Sequence, residues 1–200
     1  MTTELPTVQM RTAGRSQSEF DPIQFRMSFY PVISGLSVIS PSDIRYAVNL
    51  ALMAKSEKRT IYFIGNGGSA AISSHMAADF LKNGGIAAQC FNDGALTTCL
   101  ANDLGYDQVF AKPMSMHGRQ DDLLVAISSS GKSPSILNAA QLARDLRMRI
   151  ITLSGFAADN PLHQMGDVNF YIPSSKYGVV EVCHHAICHA ILDAVIDAGN

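Results

Sequence analysis

From residue 59 onward the chain alternates between short runs that are apolar at consecutive positions and longer stretches whose apolar residues recur every three or four. I-Y-F-I-G at 61–65, L-L-V-A-I at 123–127 and R-I-I-T-L at 149–153 are runs of the first kind. A strand with one wet face alternates apolar and polar residues, so runs without alternation predict strands covered on both faces. The pattern predicts strands at 59–65, 86–91, 122–128, 149–154 and 168–172. Among them it predicts helices at 69–82 and 133–147, short helices near 94–101 and 161–165, and a last helix at 178–198. Such an alternation implies an α/β fold: a doubly wound parallel five-stranded sheet flanked by helices.

Ahead of the sheet, two helical patterns lie between Pro22 and Lys58. The second opens at Ser40-Pro41-Ser42-Asp43, where a capping hydroxyl and a proline in the first turn are both helix-start signals. Residues 1–18 are polar and aperiodic and read as a flexible arm. Residues 19–200 read as a single domain with an N-terminal helical extension.

Composition narrows the function. With 200 residues, 47% of them hydrophobic, the chain can bury a sizeable core. A net charge of −2 and the lack of a Lys/Arg stripe argue against nucleic acid as a partner. The N-terminus has no apolar leader, and no run reaches the ~18 apolar residues of a membrane span, so no membrane association is expected. Cys90, Cys99, Cys183 and Cys188 form no C-x-x-C pair and read as reduced core thiols, which suits a cytoplasmic protein. Met114 and Met116 read as packing residues.

Two places where a strand pattern breaks carry candidate chemistry. The run 61–65 turns into Asn66-Gly67-Gly68-Ser69 and then a helix, and the run 123–127 turns into Ser128-Ser129-Ser130-Gly131-Lys132-Ser133-Pro134 and then another. Backbone N–H groups at the start of a helix attract anions, and hydroxyls beside them add donors, so both loops point to a phosphorylated ligand. Neither is a Walker A or a spaced G-x-G-x-x-G, which disfavours nucleotides. For the second loop alone, serines that merely cap the helix remain an alternative.

Histidines and carboxylates recur on two of the helices. His75 and Asp79 are four residues apart on one face, and Glu181, His185 and His189 recur every four on the last helix, with His184 beside them. Two histidines and two carboxylates drawn from two helices can form a four-ligand set for zinc, or a metal-free acid/base pair. His117 and His163 have no such companions and read as surface or supporting residues.

G-N-G-G-S, the downstream H-x-x-x-D, N-D-L-G-Y at 102–106, I-S-S-S-G-K-S and E-x-x-H-x-x-x-x-H occur in that order between Gly65 and His189, within a similarity that spans roughly residues 22–198. In these motifs the chain resembles the sugar isomerase (SIS) domain proteins, and within them the sedoheptulose 7-phosphate isomerases, also called phosphoheptose isomerases. The resemblance implies an enzyme converting sedoheptulose 7-phosphate to D-glycero-D-manno-heptose 7-phosphate through an enediol. That reaction leads to bacterial heptose for lipopolysaccharide or capsule. The resemblance also implies a homotetramer with sites at subunit interfaces and one zinc ion per subunit.

By the same resemblance, His75, Asp79, Glu181 and His189 surround the metal, and Asp79 and His189 are catalytic. The sugar phosphate falls to Ser128, Ser129, Ser130 and Ser133, and the sugar chain to Asn66, Gly67, Gly68, Ser69, Asp93 and Glu181. The family acid at position 79 is usually Glu, so Asp79 is one methylene short. The arginine that many members carry after it is missing, with Lys82 nearby. A non-catalytic SIS regulator or oligomeric scaffold, and an isomerase of another ketose phosphate, are the alternatives.

Overall fold

The computed structural model of the chain describes residues 22–198; the arm expected at 1–18 lies outside them. The chain divides between Tyr30 and Pro31 into two units, and the described part of the first is helix α1 (Pro22–Met27) with the turn after it. The second unit opens within α2 (Tyr30–Ser37), continues through α3 (Pro41–Ser56) and then enters the sheet. Three helices therefore stand where two were expected. α3 begins as its sequence demands: Ser40 is the N-cap, its hydroxyl accepts from Ser42 N, and Pro41 occupies the first turn.

Five strands follow: β1 (Ile61–Gly65), β2 (Ala88–Cys90), β3 (Leu123–Ser128), β4 (Arg149–Gly155) and β5 (Val168–Ile172). All pair in parallel, in the order β2-β1-β3-β4-β5. Between them run α4 (Gly68–Lys82), α5 (Gly94–Leu104), α6 (Ala111–His117) and α7 (Pro134–Asp145), and α8 (Tyr177–Asp197) closes the fold. Tyr106–Gln108 and Pro161–Gln164 are single 3₁₀ turns, the second where a short helix was expected.

Successive strand residues point to opposite faces, and each face has its own core. Ile61, Phe63, Val125, Ile127, Ile151 and Leu153 meet α3, α4 and α8 on one side. Tyr62, Ile64, Leu124, Ala126 and Ile150 meet α6, α7 and their connections on the other. β1 and β3 are buried along their whole length, as their unbroken apolar runs require. By length and composition α8 is apolar enough to cross a bilayer, against the expectation that no stretch would be. Half of that stretch is buried instead in the first core layer, which a helix lying on a sheet needs.

The strand order fixes where a ligand can go. It reverses direction between β1 and β3, whose connections leave toward opposite sides, and the crevice beyond their carboxyl ends is where open α/β sheets hold ligands. Gly65 pairs with Ile127 across this switch point, so the loop after β1 and the loop after β3 leave the sheet side by side.

Candidate active site

The two loops predicted from the breaks in the strand pattern enclose one cavity of about 210 Å³. Asn66, Gly67, Gly68 and Ser69 line one wall and Ser128, Ser129, Ser130 and Ser133 the other, with Glu181 and Tyr177 of α8 closing the side. Gly67, at φ 55°, turns β1 into α4 in the left-handed region, where a side chain would be strained. Gly131, at φ 63°, does the same for the serine loop. A Cβ there would collide with the side-chain amide of Asn160, which is wholly buried. That amide donates to Ser154 Oγ at 3.1 Å and Ala157 O at 2.8 Å, and its oxygen accepts from His163 N at 3.0 Å, so Asn160 backs the loop rigidly.

The serine hydroxyls are not used as helix caps. Ser133 stands at the N-cap of α7, yet its side chain makes no capping bond and instead accepts from Ser128 Oγ at 3.3 Å. Ser129 Oγ is buried with no protein partner, although buried hydroxyls are ordinarily paired. A donor held out of water in the loop that leads into α7 is suited to an anion arriving from the cavity. Asn66 differs: its oxygen accepts from Tyr106 Oη at 2.8 Å and its amide donates to Ser135 Oγ at 3.1 Å, so it ties the glycine loop to both neighbours. Asp93 is exposed, lines no part of the cavity and caps α5 by accepting from Leu96 N at 2.9 Å.

Further along α4 and α8 lies a second cluster. His75, His185 and His189 each offer a ring nitrogen, and these atoms lie within 4.8 Å of one another. His75 Nδ1 is 2.9 Å from His185 Nε2, and His75 Nε2 is 3.2 Å from Asp79 Oδ2. Burial, with His189 and then His75 close by, pushes the His185 imidazole below its ordinary pKa, while Asp79 opposes the shift. The four-ligand set His75, Asp79, Glu181 and His189 is thus not what the fold gathers. Glu181 belongs to the cavity, with its carboxylate against Gly68, and His185 takes the third place beside His75 and His189. The spacing of 181, 185 and 189 held the signal for His185, since all three share a helix face. No pattern announced Tyr177, whereas Tyr106 ends the N-D-L-G-Y motif.

The other histidines and the cysteines lie outside both the cavity lining and the cluster. His184 is wholly buried, donates through Nε2 to Ser154 O at 3.1 Å, and has its pKa lowered to about 4 by burial, against the opposing effect of that bond. Cys183 and Cys188 are core thiols, Cys188 pushed up to about 12 by burial, whereas Cys90 is half-buried and Cys99 exposed. His117 is exposed against Phe91, and the His163 ring lies tilted against that of Tyr171. Met114 is buried, but Met116 is exposed and packs no core.

Residues 24–155 match the family model described as SIS domain. The chain is 30% identical over 158 residues to the phosphoheptose isomerase of Helicobacter pylori, covering 76% of this chain and 82% of that protein. It is 31% identical over 179 residues to that of Thiobacillus denitrificans, covering 86% and 90%. The structure of phosphoheptose isomerase GmhA from Neisseria gonorrhoeae superposes with a TM-score of 0.78 at 29% identity, over 88% of this chain and 99% of that one.

Proposed function

The chain belongs to the SIS-domain phosphoheptose isomerases, and on that premise we propose that it interconverts sedoheptulose 7-phosphate and D-glycero-D-manno-heptose 7-phosphate. The observation that carries the reading is the buried, unpartnered Ser129 hydroxyl in a cavity onto which two helix N-termini open. The serine loop takes the phosphate, with donors from Ser128, Ser129, Ser130, Ser133 and the first turn of α7. The sugar chain lies toward Gly67, Gly68, Ser69 and Glu181, and Asn66 holds the shape of that wall.

Aldose–ketose isomerisation moves a proton between C1 and C2, which needs a base near those carbons and a group that handles the proton on oxygen. Asp79 and His189 are the proposed pair. A single domain over 19–200 and a homotetramer with sites at subunit contacts belong to the same proposal. So does a cytoplasmic location, which suits four unpaired cysteines.

Three imidazole nitrogens within 4.8 Å of one another fit zinc, so His75, His185 and His189 would hold it. Bound there, zinc would act as a Lewis acid toward the carbonyl. Besides its proposed part in proton transfer, Asp79 lies on the other nitrogen of His75 from the one that faces His185 and so orients that ring, a role that the shorter side chain can fill.

Incubation with sedoheptulose 7-phosphate after chelation, with and without added Zn²⁺ and followed by NMR, tests the reading. Metal-dependent formation of the aldose phosphate is expected. Binding without turnover would make the protein a phosphosugar sensor, a scaffold, or an isomerase of another ketose.

A further inference from the structure

The two helix starts that share the cavity are electrostatically unequal. Both α4 and α7 direct the positive ends of their dipoles into it, and either alone would attract an anion. At α7 the lining is formally neutral and rich in hydroxyls, and Ser129 Oγ, on a residue 5% exposed, has no partner. At α4 a negative charge is already in place. The Glu181 carboxylate packs so closely on Gly68 that a Cβ at that position would fall 2.6 Å from Oε1. Glu181 is also the one formally charged residue among those lining the cavity.

We propose that Glu181 is a specificity-determining residue that reads ligand charge, admitting sugars with one phosphate at the α7 end and a neutral carbonyl end at α4, and rejecting bisphosphates and sugar acids. The inference rests on the reading of the cavity as a phosphosugar site. A hydroxyl of the neutral end can donate to the Glu181 carboxylate. A second anionic group would have to lie in the same cavity beside it, where like charges repel. The carboxylate also offsets the dipole of α4, removing the attraction that would draw a second phosphate there. A pocket with two helix starts is thereby made to hold one anion in one orientation.

Calorimetric titration of the purified full chain with inorganic phosphate, a heptulose 7-phosphate and the matching 1,7-bisphosphate tests this, alongside Glu181→Gln and Glu181→Asp. The wild type should bind the bisphosphate at least about tenfold more weakly than the monophosphate, despite its extra charge. Glu181→Gln should narrow that ratio about tenfold through tighter bisphosphate binding, while Glu181→Asp, which keeps the charge, should retain most of the discrimination. Equal or tighter bisphosphate binding by the wild type overturns the proposal alone, as does a Gln variant with an unchanged ratio or an Asp variant that behaves like Gln. If the wild type binds none of the three, the phosphosugar reading falls and this inference with it.

Discussion

The serine-lined cavity and the histidine cluster both draw on α4 and α8 and are built in opposite ways. The cavity is largely backbone: two strand ends brought together by the sheet, two helix starts, and glycines that permit the turns. Its shape is held from behind by buried groups such as Asn160. The cluster consists of side chains alone, with His75 about half exposed and Asp79 less so. Topology alone suffices to make a phosphate cradle, but the reacting groups depend on which residues a helix presents at each turn. Binding should therefore survive changes that abolish chemistry, and each region should fail in its own way.

The sharpest separation should come from His189→Ala. Turnover of sedoheptulose 7-phosphate is expected to fall by about 10²–10⁴ with monophosphate affinity kept within about twofold. Retained turnover, measured at saturating substrate, would break the assignment of chemistry to the cluster. Asp79→Asn leaves the three imidazoles in place but weakens the orientation of His75. Zinc affinity, measured by competition with a chromogenic chelator, should drop by about 10–100-fold, and an unchanged affinity would show that Asp79 does not position the ring.

On the cavity side, Ser129→Ala removes a hydroxyl that has no partner in the free protein. Its melting temperature should hold or rise, while KM for the phosphosugar rises about five- to tenfold with kcat nearly constant. Ser130→Ala should likewise act on KM, and an effect confined to kcat would count against a phosphate role for that loop.

The smallest effect concerns acid stability. Burial lowers the His184 imidazole from its ordinary 6.5 to about 4 in the fold, so the unfolded chain takes the proton first. Its contribution is complete above pH 6.5 and is lost as pH falls toward about 4. Urea unfolding midpoints of wild type and His184→Gln should accordingly converge over that range, and parallel curves would exclude the effect.

The cavity was legible in the sequence because glycine and serine breaks at strand ends have few other uses, and neighbouring parallel strands deliver their loops to the same edge. All five strands fell within two residues of their expected ends for a related reason: consecutive apolar residues in short runs leave little choice of element. α6 went unseen because A-K-P-M-S-M-H carries a proline and no full helical period. The division of labour on α8 was beyond reach. Glu181, His185 and His189 share a face, but one stands by Gly68 and two by His75, and only the packing of α4 on α8 decides which. Asp93 shows the converse. An acid at a helix start suits a ligand or a cap equally well by type, and its bond to Leu96 N makes it a cap.

α8 also has a consequence for the birth of the protein. It lays Val179, Val180, Ile187, Ile191, Leu192 and Val195 on one side of the sheet, and it follows every strand in chain order. While the ribosome is still making it, Phe63, Val125, Ile151 and Phe170 have lost none of their appetite for an apolar partner and have yet to meet this one. Nascent chains should then be most prone to aggregation, and most in need of a chaperone, in the interval between the emergence of β5 and that of α8.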